Sequence, residues 1–141
     1  MQINNTLSRW QLVPLTFFQD GCAASQTNVQ LYVSQVGGPV EITITGYTMP
    51  FAGEVIGISY DLQTAAGNGT LTIGPTIGGT ECTDPTLSIT TAVTGSDVCP
   101  RGKNTFAKNA IIGAEITTSG TWDGTDDLAV IVWVLLNIQS I

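Results

Sequence analysis

The sequence contains no histidine. That absence removes Ser-His-Asp and Cys-His nucleophilic mechanisms and every histidine-ligated metal site. Charge is also scarce: Asp, Glu, Lys and Arg make up 11% of the 141 residues, less than half the usual share, while hydrophobic residues make up 43%. The surface must therefore be covered largely by Thr, Ser, Asn, Gln and Gly. Such a surface suits contact with neighbours, because burying a hydroxyl costs far less than burying an unpaired lysine or glutamate. Basic residues are the rarer sign, four against eleven acidic, which leaves a formal charge of −7. That balance repels a phosphate backbone and disfavours both nucleic acid and anionic membrane surfaces as partners. No apolar run reaches the ~20 residues of a membrane helix. The longest, LAVIVWVLLNI at 128–138, belongs in a core or an interface. The opening MQINNTLSRWQLV has no cationic region followed by an apolar core and a small-residue cleavage site, so a secretory signal is not expected there. Cysteine occurs three times, at Cys22, Cys82 and Cys99, without CxxC spacing, so no zinc or thioredoxin-like signature is present. A bridge from Cys82 to Cys99 would have to span an intervening strand about 25 Å long, and free thiols are the preferred reading. No GxxxxGK[ST] phosphate cradle occurs.

What the sequence does contain is a period of two. In VIGISYDL, Ile56, Ile58, Tyr60 and Leu62 point one way and Val55, Gly57, Ser59 and Asp61 the other, the pattern of a half-buried strand. The same alternation predicts strands in VEITITGY (Val40, Ile42, Ile44), TLTIGPTI (Leu71, Ile73, Ile77), TLSITTAV (Leu87, Ile89) and IIGAEITT (Ile112, Ala114, Ile116). WQLVPLTFF, NVQLYVSQV and the terminal LAVIVWVLLNI bring the count to about eight. Turn clusters separate them at Gly37-Gly38-Pro39, Gly67-Asn68-Gly69, Gly78-Gly79, Gly95-Ser96-Asp97 and Gly124-Thr125-Asp126-Asp127. Pro75 cannot donate to a ladder and is expected on an edge or at a bulge beside Gly74. No segment shows a sustained period of 3.6 with caps. The expected fold is all-β, an eight-stranded jelly roll or related β-sandwich in a single domain spanning 1–141.

The last strand is apolar on both faces. Leu128, Val130, Val132, Val134 and Leu136 form one face, and Ala129, Ile131, Trp133 and Leu135 the other. A strand of that kind is central in a closed sandwich or has one face covered by another subunit. The second reading is preferred, with Ile131, Trp133 and Leu135 as the candidate subunit interface. Arg101, Lys103 and Lys108, three of the four cations, lie in the loop CPRGKNTFAK and form a candidate contact with an acidic partner or neighbouring subunit.

Carboxylates are the remaining common catalytic device, and Glu54, Asp61 and Glu115 are the candidates. Alternation puts Asp61 and Glu115 on polar faces, where a solvated carboxylate is the ordinary outcome, so no catalytic residue is assigned and the chain is read as a non-enzyme. WDGTDD at 122–127 offers oxygen ligands for calcium from Asp123, Asp126 and Asp127, but it lacks EF-hand spacing and a closing glutamate. A solvated loop is the favoured reading, and no metal or cofactor is assigned. Trp122, Tyr47 and Tyr60 could stack on sugar rings, although a Trp at a strand end serves equally as a core anchor.

One set of short motifs carries a resemblance. Met49-Pro50-Phe51-Ala52-Gly53 with Gly57-Ile58-Ser59, Gly69-Thr70-Leu71-Thr72 with Pro75-Thr76-Ile77, and Phe106-Ala107 with Ile112-Gly113 and Ile116-Thr117-Thr118 follow one another. This succession resembles a β domain of tailed-bacteriophage virion proteins, found in capsid decoration (cement) proteins and in head or tail fibres. It covers residues 46–138. Lys108 and Asn109 stand where the pattern has a small residue and glycine. The resemblance implies a homotrimeric virion structural protein that decorates and stabilises the capsid, with the major capsid protein as partner. It would assemble in the host cytoplasm and reside on the capsid surface. Residues 1–45 would then be a capsid-binding arm or additional strands. The alternative role is a fibre or spike domain that binds host glycans.

Overall fold

The computed structural model describes residues 9–34 and 44–138. Among them there is no helix, and eleven strands form two antiparallel sheets. The strands are β1 (Trp10–Gln19), β2 (Val29–Gln30), β3 (Tyr47–Thr48), β4 (Gly53–Leu62), β5 (Leu71–Ile77), β6 (Thr80–Glu81), β7 (Leu87–Ile89), β8 (Thr94–Val98), β9 (Thr105–Phe106), β10 (Ile111–Thr118) and β11 (Leu128–Asn137). The first sheet runs β1-β11-β4-β8 with β9 also on β4. The second runs β2-β10-β5-β6, with β3 on β10 and β7 on β5. This all-β arrangement is consistent with a β-sandwich.

Alternation accounts for the core. Phe17, Ile58, Val130, Val132 and Val134 from the first sheet and Leu71, Ile73, Ile112 and Ile116 from the second are fully buried in one cluster. Each such side chain contributes roughly 1.5–3 kcal/mol relative to exposure. Of residues 1–45, expected as an arm or as strands, the described part supplies two strands. β1 pairs with β11 along its whole length, and β2 pairs with β10.

Several expectations are corrected. The alternation of β4 changes phase at a β-bulge: Trp133 lies opposite Gly57, but Val134 lies opposite Val55, so Ile56 is the extra residue. Val55 therefore enters the core, and Ile56 turns outward, half-buried. The Gly95-Ser96-Asp97 turn is instead part of β8, paired with β4. Gly95 is needed there because a Cβ would lie 2.8 Å from Cε1 of Tyr60. The predicted strand 86–93 shortens to β7. Ile44, expected inside, is exposed. Val40, Ile42 and the Gly37-Gly38-Pro39 turn lie outside the described residues.

The Gly78-Gly79 turn gains a mechanism, and the expectation for Pro75 is corrected, since β5 lies between β10 and β6 and not at an edge. Gly78 and Gly79, with φ of 61° and 82°, form the two-residue loop between the paired Ile77 and Thr80. Two positive φ angles match a type I′ hairpin turn. Pro75 faces Ala114 with no register shift, so it makes no bulge. The Ala114 carbonyl accepts from Leu31 N on the far side, and the Pro75 carbonyl accepts from Cys82 N. Residue 75 thus faces away from β10 with its backbone polar groups, and its missing N–H leaves the β5–β10 ladder intact.

Candidate assembly surface

The first sheet presents its second face outward. On β11, Leu128, Val130, Val132, Val134 and Leu136 are buried, while Ala129, Ile131, Trp133 and Leu135 are half-buried. The register places Leu12 beside Leu135, Pro14 beside Trp133 and Thr16 beside Ile131. On the other flank Gly57 lies beside Trp133, and Val98 lies beside Gly57. Leu12 is 52% exposed and Val98 74% exposed. Between them a shallow hollow of about 360 Å³ is lined by Leu12, Ile56, Trp133 and Val98 among others. The Trp133 Nε1–H donates to Ser59 Oγ at 3.2 Å, so the polar edge of this indole has a partner within the sheet. A contiguous apolar surface of this kind on a sheet marks a contact surface more often than a solvated one.

Ile131, Trp133 and Leu135 are therefore together on one face, as the alternation predicted. Sequence reasoning missed Leu12, Val98 and Ile56. A signal for Leu12 was present, since WQLVPLTFF is apolar in both phases as LAVIVWVLLNI is. For Ile56 there was none, because the bulge depends on the facing strand.

The cationic loop is mostly engaged within the chain. Arg101 Nε donates to Glu54, a carboxylate only 4% exposed that also accepts from Gly102 N at 3.3 Å. The Arg101 guanidinium also lies 4.5 Å from the centre of the Trp10 ring, a cation–π contact at the start of β1. Lys103 Nζ donates to Asp84 at 2.8 Å, and that hydrogen bond raises its pKa. Lys108 is exposed, with no ion pair among the described residues. The Arg101 and Lys103 side chains remain 55% and 45% exposed.

The carboxylate candidates do not converge. Asp61 is exposed at the end of β4, as expected, but Glu54 begins the same strand, roughly 23 Å away at strand rise. Glu115 is in the other sheet and is 6% exposed, contrary to its expected solvation. It accepts from Gln30 Nε2 at 2.7 Å. Its pKa is raised, first by burial and then by hydrogen bonding to Glu81 and that group's charge.

The loop at 122–127 is structural. Asp123 accepts from Gly67 N at 2.8 Å, Asn68 N at 3.0 Å and Asn68 Nδ2 at 3.0 Å, and these bonds lower its pKa. Asp127 accepts from Gly21 N at 3.1 Å and, by hydrogen bonding and charge, raises the pKa of Asp20. Among the described residues no three acidic, His or Cys side chains group as metal ligands. Trp122 is 3% exposed, and its Nε1–H lies 3.1 Å from both the Cys22 and the Gly124 carbonyl oxygens, which makes it a core anchor. Tyr60 is also buried, and its hydroxyl donates to Ala92 O. Tyr47 is half-buried, with its hydroxyl directed at Thr16 O and Val33 O. The aromatic residues named for sugar stacking are thus used internally.

All three cysteines are buried free thiols. Burial pushes Cys22 and Cys82 up to about 11, which keeps them protonated and unreactive at neutral pH. No family model matches the chain, and comparison with curated proteins finds no match.

Proposed function

We propose that this chain is a non-enzymatic structural protein of a tailed-phage virion, a capsid decoration (cement) protein. In this reading it forms a homotrimer of jelly-roll-type domains and binds the major capsid protein on the assembled capsid. The observation that carries the reading is the apolar outer face formed by Ile131, Trp133, Leu135, Leu12 and Val98. Covering that face with a neighbouring subunit removes apolar surface from water, and Glu54, which lies opposite Leu135, is already buried and paired with Arg101.

The chain accommodates the point at which it departs from that pattern. Asn109, standing where the pattern has glycine, takes φ of 71°, the left-handed conformation that asparagine tolerates better than most residues. Its N–H donates to Met49 O, and Met49 N donates to Ala110 O, which ties the Phe106-Ala107 turn to the Met49-Pro50-Phe51 corner. The glycan-binding alternative lacks comparable support, because Trp122 and Tyr60 are buried.

A protein that binds only the assembled lattice stabilises it by mass action, since a ligand selective for one state shifts the equilibrium toward it. The test adds purified protein to expanded capsids of the phage that encodes it. Saturable co-sedimentation and a higher capsid disruption temperature are expected. Capsids that neither bind the protein nor gain thermal protection contradict the proposal.

A further inference from the structure

Two carboxyl groups meet on the outward side of the second sheet. On β10 the core-facing residues are Ile112, Ala114 and Ile116, so Glu115 points the other way, and yet it is only 6% exposed. The register explains its cover. Glu115 lies opposite Gln30 of β2 on one flank and Gly74 of β5 on the other, while Glu81 of β6 lies opposite Thr76. Gly74 has no side chain, and Glu81 fills the space it leaves: a Cβ at position 74 would collide with Glu81 Oε1 and lie 2.7 Å from its Cγ. Glu81 thus reaches diagonally across β5 to the Glu115 carboxyl. On the far flank the Thr76 hydroxyl donates to Gln30 Oε1 at 3.3 Å, which turns the amide so that Nε2–H donates to Glu115 Oε2 at 2.7 Å.

An ionised carboxylate only accepts, so a hydrogen bond between Glu115 and Glu81 needs one proton between them. No cation replaces that proton. The ion pairs among the described residues, Arg101–Glu54 and Lys103–Asp84, involve neither group. Gln30, Gly74 and Thr76, which face Glu115 from β2 and β5, are neutral, and Tyr47 of β3 turns its ring to Phe17 in the core. The Cys82 thiol beside Glu81 stays protonated, since burial pushes it up to about 11. We propose that Glu81 and Glu115 share one proton and form an acid-operated clasp, which holds the β5–β6 hairpin closed over Gly74 and frees the Glu81 side chain when the proton leaves. Burial first, and then Glu81, raise the Glu115 pKa above its ordinary 4.5. The bridge is therefore complete below that value and is lost as pH rises through the folded pKa. Deprotonation leaves two like charges together, and Glu81, the exposed partner, is the one that can turn into water.

The test is a pH titration of the full chain, labelled with carbon-13 at the glutamate carboxyls and followed by NMR. The Glu115 carbon should show a step above the ordinary carboxylate range, and the Glu81 carbon should move through the same step. The Cys82 N–H, which donates to Pro75 O just past β6, reports closure of the hairpin. Its protection from hydrogen exchange should fall across that step by more than the pH dependence of exchange itself. Glu81→Gln should lower the Glu115 step, because both effects of Glu81 raise it, and should remove the step from the Cys82 amide. Glu115→Gln should also leave the Cys82 amide without the step. Gly74→Ala alters neither carboxyl, but its methyl takes the place of the Glu81 carboxylate, the far end of a side chain that can swing aside. That variant should keep the wild-type circular dichroism and lose the common step. Glu81 and Glu115 carbons that move independently in wild type would overturn the clasp. So would a common step that survives in Gly74→Ala, or Cys82 protection that follows pH equally in wild type and Glu81→Gln.

Discussion

Replacing Trp122 with phenylalanine separates an anchoring role from a ligand-stacking one. The indole is 3% exposed, and its N–H serves two carbonyls, Cys22 O and Gly124 O, each at 3.1 Å. Those contacts tie the chain after β1 to the loop before β11. The packing is close: a Cβ at Gly124 would lie 2.4 Å from Cζ2 of the ring, and one at Gly69 would lie 2.4 Å from Trp122 N. Phenylalanine removes the donor and leaves part of the indole volume empty. Losing a buried hydrogen bond costs about 1–3 kcal/mol, and the unfilled volume adds to it, so about 2–3 kcal/mol in total is expected. With a urea slope of ~1–3 kcal/mol/M, the unfolding midpoint should fall by about 1–2 M. Circular dichroism in urea reads this without depending on tryptophan fluorescence. A variant with the wild-type midpoint would refute the anchoring role and return Trp122 to the candidates for sugar contact.

Glu115→Gln should stabilise the fold at neutral pH. A carboxyl whose folded pKa is raised above its ordinary 4.5 contributes stability below that value and loses the contribution as pH rises through the folded pKa. The glutamine mimics the protonated form, so its melting temperature should exceed wild type by about 2 °C at pH 8 and converge with it in acid. A lower melting temperature at pH 8 would contradict the burial argument. The three thiols should react slowly with iodoacetamide in the native protein at pH 8 and completely in urea, as read by mass spectrometry. Rapid native labelling of Cys22 or Cys82 would contradict their burial.

Much of the scaffold was legible because period-two alternation is local. The strands at 71–77 and 111–118 follow from it, and the short apolar runs at 10–18 and 128–138 read as strands with two apolar faces. The rest depends on residues remote in sequence. Ile56 turns outward because the facing strand supplies one residue against two at the bulge. Gly95 is a packing glycine under Tyr60, which composition cannot distinguish from a turn glycine. Glu115 is buried because Gln30, on β2, supplies a donor at 2.7 Å. Arg101 and Lys103 looked free because their partners Glu54 and Asp84 belong to distant parts of the chain. The outer face was legible only in part, since it needed the β1–β11 register to bring Leu12 to Leu135 and the β4–β8 pairing to bring Val98 alongside.

The central claim is that the outer face of the first sheet is an assembly surface, and sedimentation equilibrium of wild type beside Leu12→Glu/Val98→Glu tests it most directly. Both positions are exposed in the single chain, so the double variant should keep the wild-type circular dichroism and melting temperature of the subunit. The account predicts a wild-type mass of three 14.8 kDa chains and a variant mass of one. A wild-type protein that sediments as a single chain at high concentration, or a variant that remains trimeric, would contradict it.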